Sequence, residues 1–127
     1  MSEVVLDASA ILAIIFGESG DAGALALTSR ARVSAVNLSE VVAEMDERGF
    51  GPTEAEVLLG GLGMEVAEFG REDAFRAGRL RQATRRMGLS FGDRACLALA
   101  LRAGLPVVTA DRAWVDLGLP VEVELLR

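Results

Sequence analysis

Short apolar runs along this chain alternate with longer segments in which apolar residues return every three or four positions. Val4-Val5-Leu6 is brief, β-branched and flanked by Glu3 and Asp7, which predicts a buried strand over residues 3–7. A helix over 8–16 follows at once, then a turn over 17–20 and a helix over 21–29. A second strand covers 32–35. Asn37 opens a helix that runs through Val41, Val42 and Met45 and ends near Gly49 and Gly51. Pro52 and Thr53 start the next helix, over 54–62, where proline suits the first turn. A third strand spans 65–69, and a long helix covers 71–87 with Gly88 at its end. Residues 93–103 form an almost wholly apolar helix, expected to be buried and closed by Gly104. A fourth strand at 106–109, a short helix at 112–117 and a last strand at 121–125 complete the pattern.

Five short apolar strands separated by helices predict an α/β fold, a parallel β-sheet of about five strands flanked by helices on both faces. Such sheets hold their ligands at the carboxyl ends of the strands. Asp7 ends the first strand, Asp111 lies two residues past the fourth, and Asp93 heads the apolar helix. Three acids fall where the architecture expects a site.

Length and composition narrow the chemistry. The 127 residues suit one domain, 1–127. The chain is 51% apolar, yet no run approaches the ~18 residues of a membrane span. The surplus of apolar surface predicts a covered interface, meaning a homodimer or a protein partner. Met1-Ser2-Glu3 lacks the basic start of a signal peptide, so a cytoplasmic protein is expected. The one cysteine, Cys96, excludes an internal disulfide and a Cys-rich metal site. Histidine is absent, and all 13 basic residues are arginine. Imidazole catalysis, His-based zinc sites, P-loop lysines and Schiff-base chemistry are therefore unavailable. Carboxylates, hydroxyls, arginine and metal remain. The formal net charge of −6 opposes non-specific coating of nucleic acid but leaves local contact open.

Each acid also has a plain structural role open to it. Asp7 and Asp111 can cap the helices that follow them, and Asp93 suits the positive end of a helix dipole. Asn37 and Glu40 have the spacing of a capping box. Asp7 stands apart, because a carboxylate ending a buried strand is costly unless an arginine or a metal faces it.

The surroundings of the acids carry more information. The four blocks Val4-Val5-Leu6-Asp7-Ala8-Ser9-Ala10, Val36-Asn37-Leu38-Ser39-Glu40-Val41-Val42, Leu89-Ser90-Phe91-Gly92-Asp93-Arg94-Ala95 and Val107-Val108-Thr109-Ala110-Asp111-Arg112-Ala113-Trp114 closely resemble the PIN-domain nucleases. Within them the likeness is to the VapC-type toxins of toxin–antitoxin modules, and it runs from Val4 to about Leu117. The resemblance implies a PIN-like sheet and a metal-dependent endoribonuclease that hydrolyses RNA with a metal-activated water. It also implies a cognate antitoxin protein that silences the enzyme. Asp7, Glu40, Asp93 and Asp111 become the acidic quartet, with Asp7 and Asp93 as direct ligands, Glu40 next and Asp111 acting through water. Ser9 and Thr109 become pocket hydroxyls, Asn37 orients Glu40 or meets the substrate, and Arg112 supports the site. An all-oxygen set of this kind suits Mg²⁺ or Mn²⁺. Other readings stay open: a non-catalytic PIN-like module that binds metal or a partner, or a PIN nuclease outside any toxin–antitoxin pair. A phosphatase on a similar sheet fits less well, since Asp7-Ala8-Ser9 lacks a second aspartate and no lysine is present.

Three further features bear on function. Arg76, Arg79, Arg81, Arg85 and Arg86 share one predicted helix, as either a solvated face pairing with Glu72 and Asp73 or a track for RNA phosphates. Cys96 and Trp114 read as packing. Val41, Val42 and Met45 with Leu58, Leu59 and Leu62 read most simply as core, though the resemblance places an antitoxin on that region.

Overall fold

The computed structural model describes residues 3–18 and 23–126. Its strands are β1 (Val4–Leu6), β2 (Ala31–Ser34), β3 (Glu65–Ala67), β4 (Val107–Thr109) and β5 (Val123–Leu125). The helices are α1 (Ala8–Ile15), α2 (Ala24–Leu27), α3 (Ala35–Glu47), α4 (Pro52–Gly61), α5 (Arg71–Ala83) and α6 (Phe91–Ala103). Short 3-10 turns cover Thr28–Arg30, Arg85–Met87 and Arg112–Asp116. The strands form one sheet in the order β3-β2-β1-β4-β5, every pair parallel. This is the expected α/β sheet.

Alternation along the strands sends side chains to opposite faces. Val4 and Leu6 of β1, with Val33 and Val108, pack with α1, α3 and α4 through Ile11, Val41, Met45 and Leu59. Val5 and Val107 face the other way, onto Leu80 of α5, Cys96 and Leu97 of α6, and Trp114. The sheet is thus covered on both sides at its centre, where β1 and β4 are buried throughout, whereas the edge strands β3 and β5 carry the exposed Glu65 and Glu124. Val41, Met45 and Leu59 lie within the core, and Val42 alone of the six residues that could have formed an apolar groove is left largely exposed.

Several boundaries differ from those the pattern predicts, each for a local reason. Helix α3 starts at Ala35 because Ser34 caps it, its hydroxyl accepting from the Val36 amide at 3.2 Å. Asn37 therefore sits inside the first turn rather than at the cap. Helix α6 begins at Phe91 behind a capping box of Ser90 and Asp93. Helix α5 stops at Ala83, where the buried Thr84 turns its hydroxyl back onto the Leu80 carbonyl at 2.7 Å; such back-bonding bends and weakens a helix. Arg85 and Arg86 consequently fall in the 3-10 turn beyond the helix they were expected to share with Arg76, Arg79 and Arg81. Of the turn over 17–20 and the helix over 21–29, residues 19–22 lie outside the described residues. Gly88 and Gly104 take left-handed conformations at the ends of their segments, as helix-terminating glycines do. Among the described residues, no helix is long and apolar enough to cross a membrane.

Candidate active site

The chain builds β1, β2 and β3 outward on one side, then returns to lay β4 on the free edge of β1. The strand order reverses between β1 and β4, and the crevice above their carboxyl ends is where open parallel sheets bind ligands. Asp7 and Thr109 face each other there. The Thr109 hydroxyl donates to Asp7 Oδ2 at 2.5 Å, and Ser9 Oγ donates to Oδ1 at 2.8 Å. The Ala10 amide reaches Oδ1 at 2.8 Å, so Asp7 also caps α1. The network extends to β4: the Ala110 amide donates to Ser9 Oγ at 3.0 Å and the Asp111 amide to Thr109 Oγ1 at 3.0 Å.

Asp7 is buried, and no arginine pairs with it among the described residues. Burial pushes its carboxyl above the usual range, and the bonds from Thr109, Ala10 and Ser9 only partly oppose this. The negative charge of Asp93 adds to the rise. Among the described residues, then, the Asp7 carboxylate is buried without a cationic side chain.

Glu40 is placed from a second direction. The side chain of Asn37, 1% exposed, donates from Nδ2 to Glu40 Oε1 and to the Gly92 carbonyl, both at 2.9 Å. One amide thereby ties α3 to the first turn of α6. Glu40 rests against Gly92 so closely that a Cβ there would fall 2.1 Å from Oε2. One turn along, the Asp93 amide donates to Ser90 Oγ at 3.1 Å, and Asp93 Oδ2 accepts from the Ser90 amide at 3.0 Å. Gly92 and Ser90 are contributors that the sequence pattern leaves unmarked. The available signal was a glycine in a helix's first turn, costly unless space demands it.

Cys96, wholly buried one turn below Asp93, reports on the assembly. Burial raises its thiol well above the usual value, and the charges of Asp7, Asp93 and Glu40 raise it further. The thiol therefore stays protonated. Asp111 sits at the rim, exposed, its Oδ1 accepting from the Ala113 amide at 3.0 Å as the cap of the following turn. Arg112 points elsewhere. Its exposed side chain lines a groove with Val115 and Leu125 and takes part in no ion pair among the described residues. Asp73, expected on a solvated face, is buried and held by Arg102 at 2.8 Å.

The donors at this site are all oxygens: carboxylates, the hydroxyls of Ser9 and Thr109, and the amide oxygen of Asn37, which is buried without a hydrogen-bond partner. That set fits a hard divalent cation. Among the described residues no three acids stand together as a preformed cage. Mg²⁺ does not require one, since it is held by one or two carboxylates and keeps water and phosphate oxygens in its other positions.

The PIN domain family model matches residues 4–118 of this chain. The chain belongs to the PIN domain family. Solved structures share the PIN architecture at low identity. The DNA-bound VapBC of Salmonella typhimurium is 23% identical with a TM-score of 0.76, and 100% of each chain is covered. VapBC2 of Rickettsia felis, bound to a fragment of its promoter DNA, is 16% identical with a TM-score of 0.78 over 98% of each chain. VapBC-5 of Mycobacterium tuberculosis is 23% identical with a TM-score of 0.62, covering 100% of this PIN chain and 99% of its own. A search of curated proteins found no match.

Proposed function

We propose that this PIN domain is an endoribonuclease, the toxin of a toxin–antitoxin module, and that it hydrolyses RNA phosphodiester bonds with Mg²⁺ or Mn²⁺. The observation that carries the reading is the hydrogen-bonded frame at the switch point of the sheet, where Ser9, Thr109 and the Ala10 amide hold the buried Asp7 and Asn37 ties Glu40 to the first turn of α6, which carries Asp93. Asp7, Asp93 and Glu40 would hold the ion, with Asp111 at the rim. When bound, such an ion lowers the pKa of a water and neutralises charge developing on the phosphoryl group. The protein's own part is positional. Ser9 and Thr109 lock the Asp7 carboxylate in place, and Asn37 fixes Glu40 against α6. With neither histidine nor lysine in the chain, proton transfer falls to carboxylates and water.

The test is incubation of purified protein with structured RNA and Mn²⁺ beside the Asp7→Asn variant. Wild-type cleavage with an inert variant is the expected result; equal cleavage by both overturns the reading. The likeness to VapBC complexes supports an antitoxin partner, and co-purification with the product of an adjacent small reading frame tests it. A homodimer in the cytoplasm belongs to the same reading, and light scattering tests its stoichiometry. The absence of a preformed three-acid cage among the described residues favours one rival, a non-catalytic metal- or partner-binding module. Calorimetric Mn²⁺ binding with no cleavage of any RNA pool would establish that rival.

A further inference from the structure

The inner face of α5 is formed by Asp73, Ala77 and Leu80. On the outer face Arg71, Phe75 and Arg79 follow one another at four-residue spacing, which stacks them along the helix. Phe75 is 50% exposed, with the Arg71 guanidinium 4.8 Å and the Arg79 guanidinium 5.5 Å from its ring centre. With Arg76 these residues line an open groove of about 690 Å³ whose one acid is Glu72. None of the three arginines is in an ion pair among the described residues, and Arg76 Nη1 is buried without a hydrogen-bond partner. A local excess of positive charge thus surrounds an uncovered aromatic ring on a chain of net charge −6.

An occupant matching this face is anionic and carries flat apolar surfaces. Single-stranded nucleic acid has both: phosphates for the guanidinium groups and bases for the ring. A second copy of the chain matches poorly, because a two-fold dimer sets like against like and would oppose arginines to arginines. We propose that this face of α5 is a docking track for single-stranded RNA. Taking that RNA to be the substrate rests on the nuclease reading above; the binding itself does not. The placement suits such a role. Helix α5 packs on α6, whose Arg94 donates to the Ala77 carbonyl at 2.9 Å and whose first turn carries Asp93. The track and Asp93 therefore belong to one two-helix unit.

The experiment measures fluorescence anisotropy of labelled oligouridylates of about 4 and about 16 nucleotides, bracketing the usual site sizes, in buffer without divalent cation. Wild-type protein binds the longer probe at least tenfold tighter. Phe75→Ala combined with Arg79→Gln weakens binding of that probe by about tenfold, in line with base stacking on an aromatic ring. The slope of log affinity against log salt falls by about 0.7 for the arginine removed. Arg81→Gln, an equal charge change off the groove, stays within twofold. Both altered side chains are exposed, and melting curves verify that the variant is folded. The proposal is overturned if the double variant binds as wild type, if Arg81→Gln loses as much, or if the double variant converts a dimer to monomer in light scattering. Loss of binding in the double variant, with no RNA cleaved by wild type in Mn²⁺, leaves the track standing and removes the nuclease reading.

Discussion

Gly92→Ala separates the architecture of the acidic site from its chemistry. Gly92 has ordinary helical backbone, so the new methyl group causes no conformational strain, and replacing a helical glycine gains about 0.5–1 kcal/mol. The difficulty is the neighbour. The added Cβ would stand 2.1 Å from Glu40 Oε2 and 2.4 Å from Oε1 and Cδ. Restoring an ordinary 3.4 Å contact moves the carboxylate by about 1.3 Å, the difference between 3.4 Å and 2.1 Å. Glu40 is exposed and can swing toward water, at the cost of the 2.9 Å bond from Asn37, about 1 kcal/mol. The two terms nearly cancel, so the melting temperature stays within about 4 °C of wild type. Activity has no such offset. A displacement of about 1 Å in a positioned catalytic group costs on the order of 10²-fold in rate. Single-turnover cleavage of RNA in Mn²⁺, run beside thermal melts, reads both quantities. Cleavage within threefold of wild type by a normally folded variant would show that the seat of Glu40 against α6 is irrelevant to catalysis.

Asp7→Asn is expected to abolish cleavage while leaving the protein at least as stable at neutral pH. Because the folded carboxyl titrates above its unfolded value of 3.8, wild-type stability falls as pH rises from there through the folded pKa; urea melts across that range should flatten in the variant. Mn²⁺ at about 100 times its dissociation constant should stabilise wild type by about 2.7 kcal/mol, reversibly with EDTA, whereas Asp7→Asn shows no such shift in a thermal assay. Asp73 behaves in the opposite sense. Burial pushes its carboxyl up, but bonds from Arg102 and the Gly70 amide and the charges of Arg102 and Arg76 outweigh this and hold it below 3.8. The stability it contributes is present above that pH and lost below it, and Asp73→Asn should cost about 1.5 kcal/mol at pH 7 in urea denaturation with no change in RNA cleavage.

β1 and β4 were legible because each is a short β-branched run that must be apolar on both faces, whereas β2 and β3 keep a single valine each among polar and small residues. The strand ends were less legible. Glu3 and Asp7 flank β1 but do other work: Glu3 pairs with Arg32 at 2.7 Å, and Asp7 caps α1. Asn37 and Glu40 show the limit of local pattern. Their spacing matches a capping box, but Ser34 stands three residues earlier and takes the cap, which turns Asn37 inward. Its partner is then the Gly92 carbonyl, 55 positions away, and no local spacing encodes such a contact. Asp73 was readable in principle, since 73, 77, 80 and 84 follow the 3.6-residue period of an inward stripe. A charged residue on that stripe signals a partner reaching in to it, here Arg102.

Capping and metal-site roles for the acids are not alternatives in this fold. In a parallel sheet the carboxyl end of a strand is also the amino end of the next helix. A residue at that junction meets unpaired amides and the positive end of a helix dipole. Asp7 accepts from the first turn of α1, Asp93 closes the box that starts α6, and Asp111 caps the turn after β4. Each cap favours a negative charge at its own helix or turn start. Asp7, Asp93 and Asp111 can therefore all stand at the carboxyl-end side of the sheet as charged groups, because each helix or turn start stabilises its own carboxylate. Burial still holds the Asp7 carboxyl above its usual range, and the charge of Asp93 adds to the rise. On the metal-dependent reading proposed above, the capping geometry that looks purely structural at each acid would also orient the carboxylates that hold the ion.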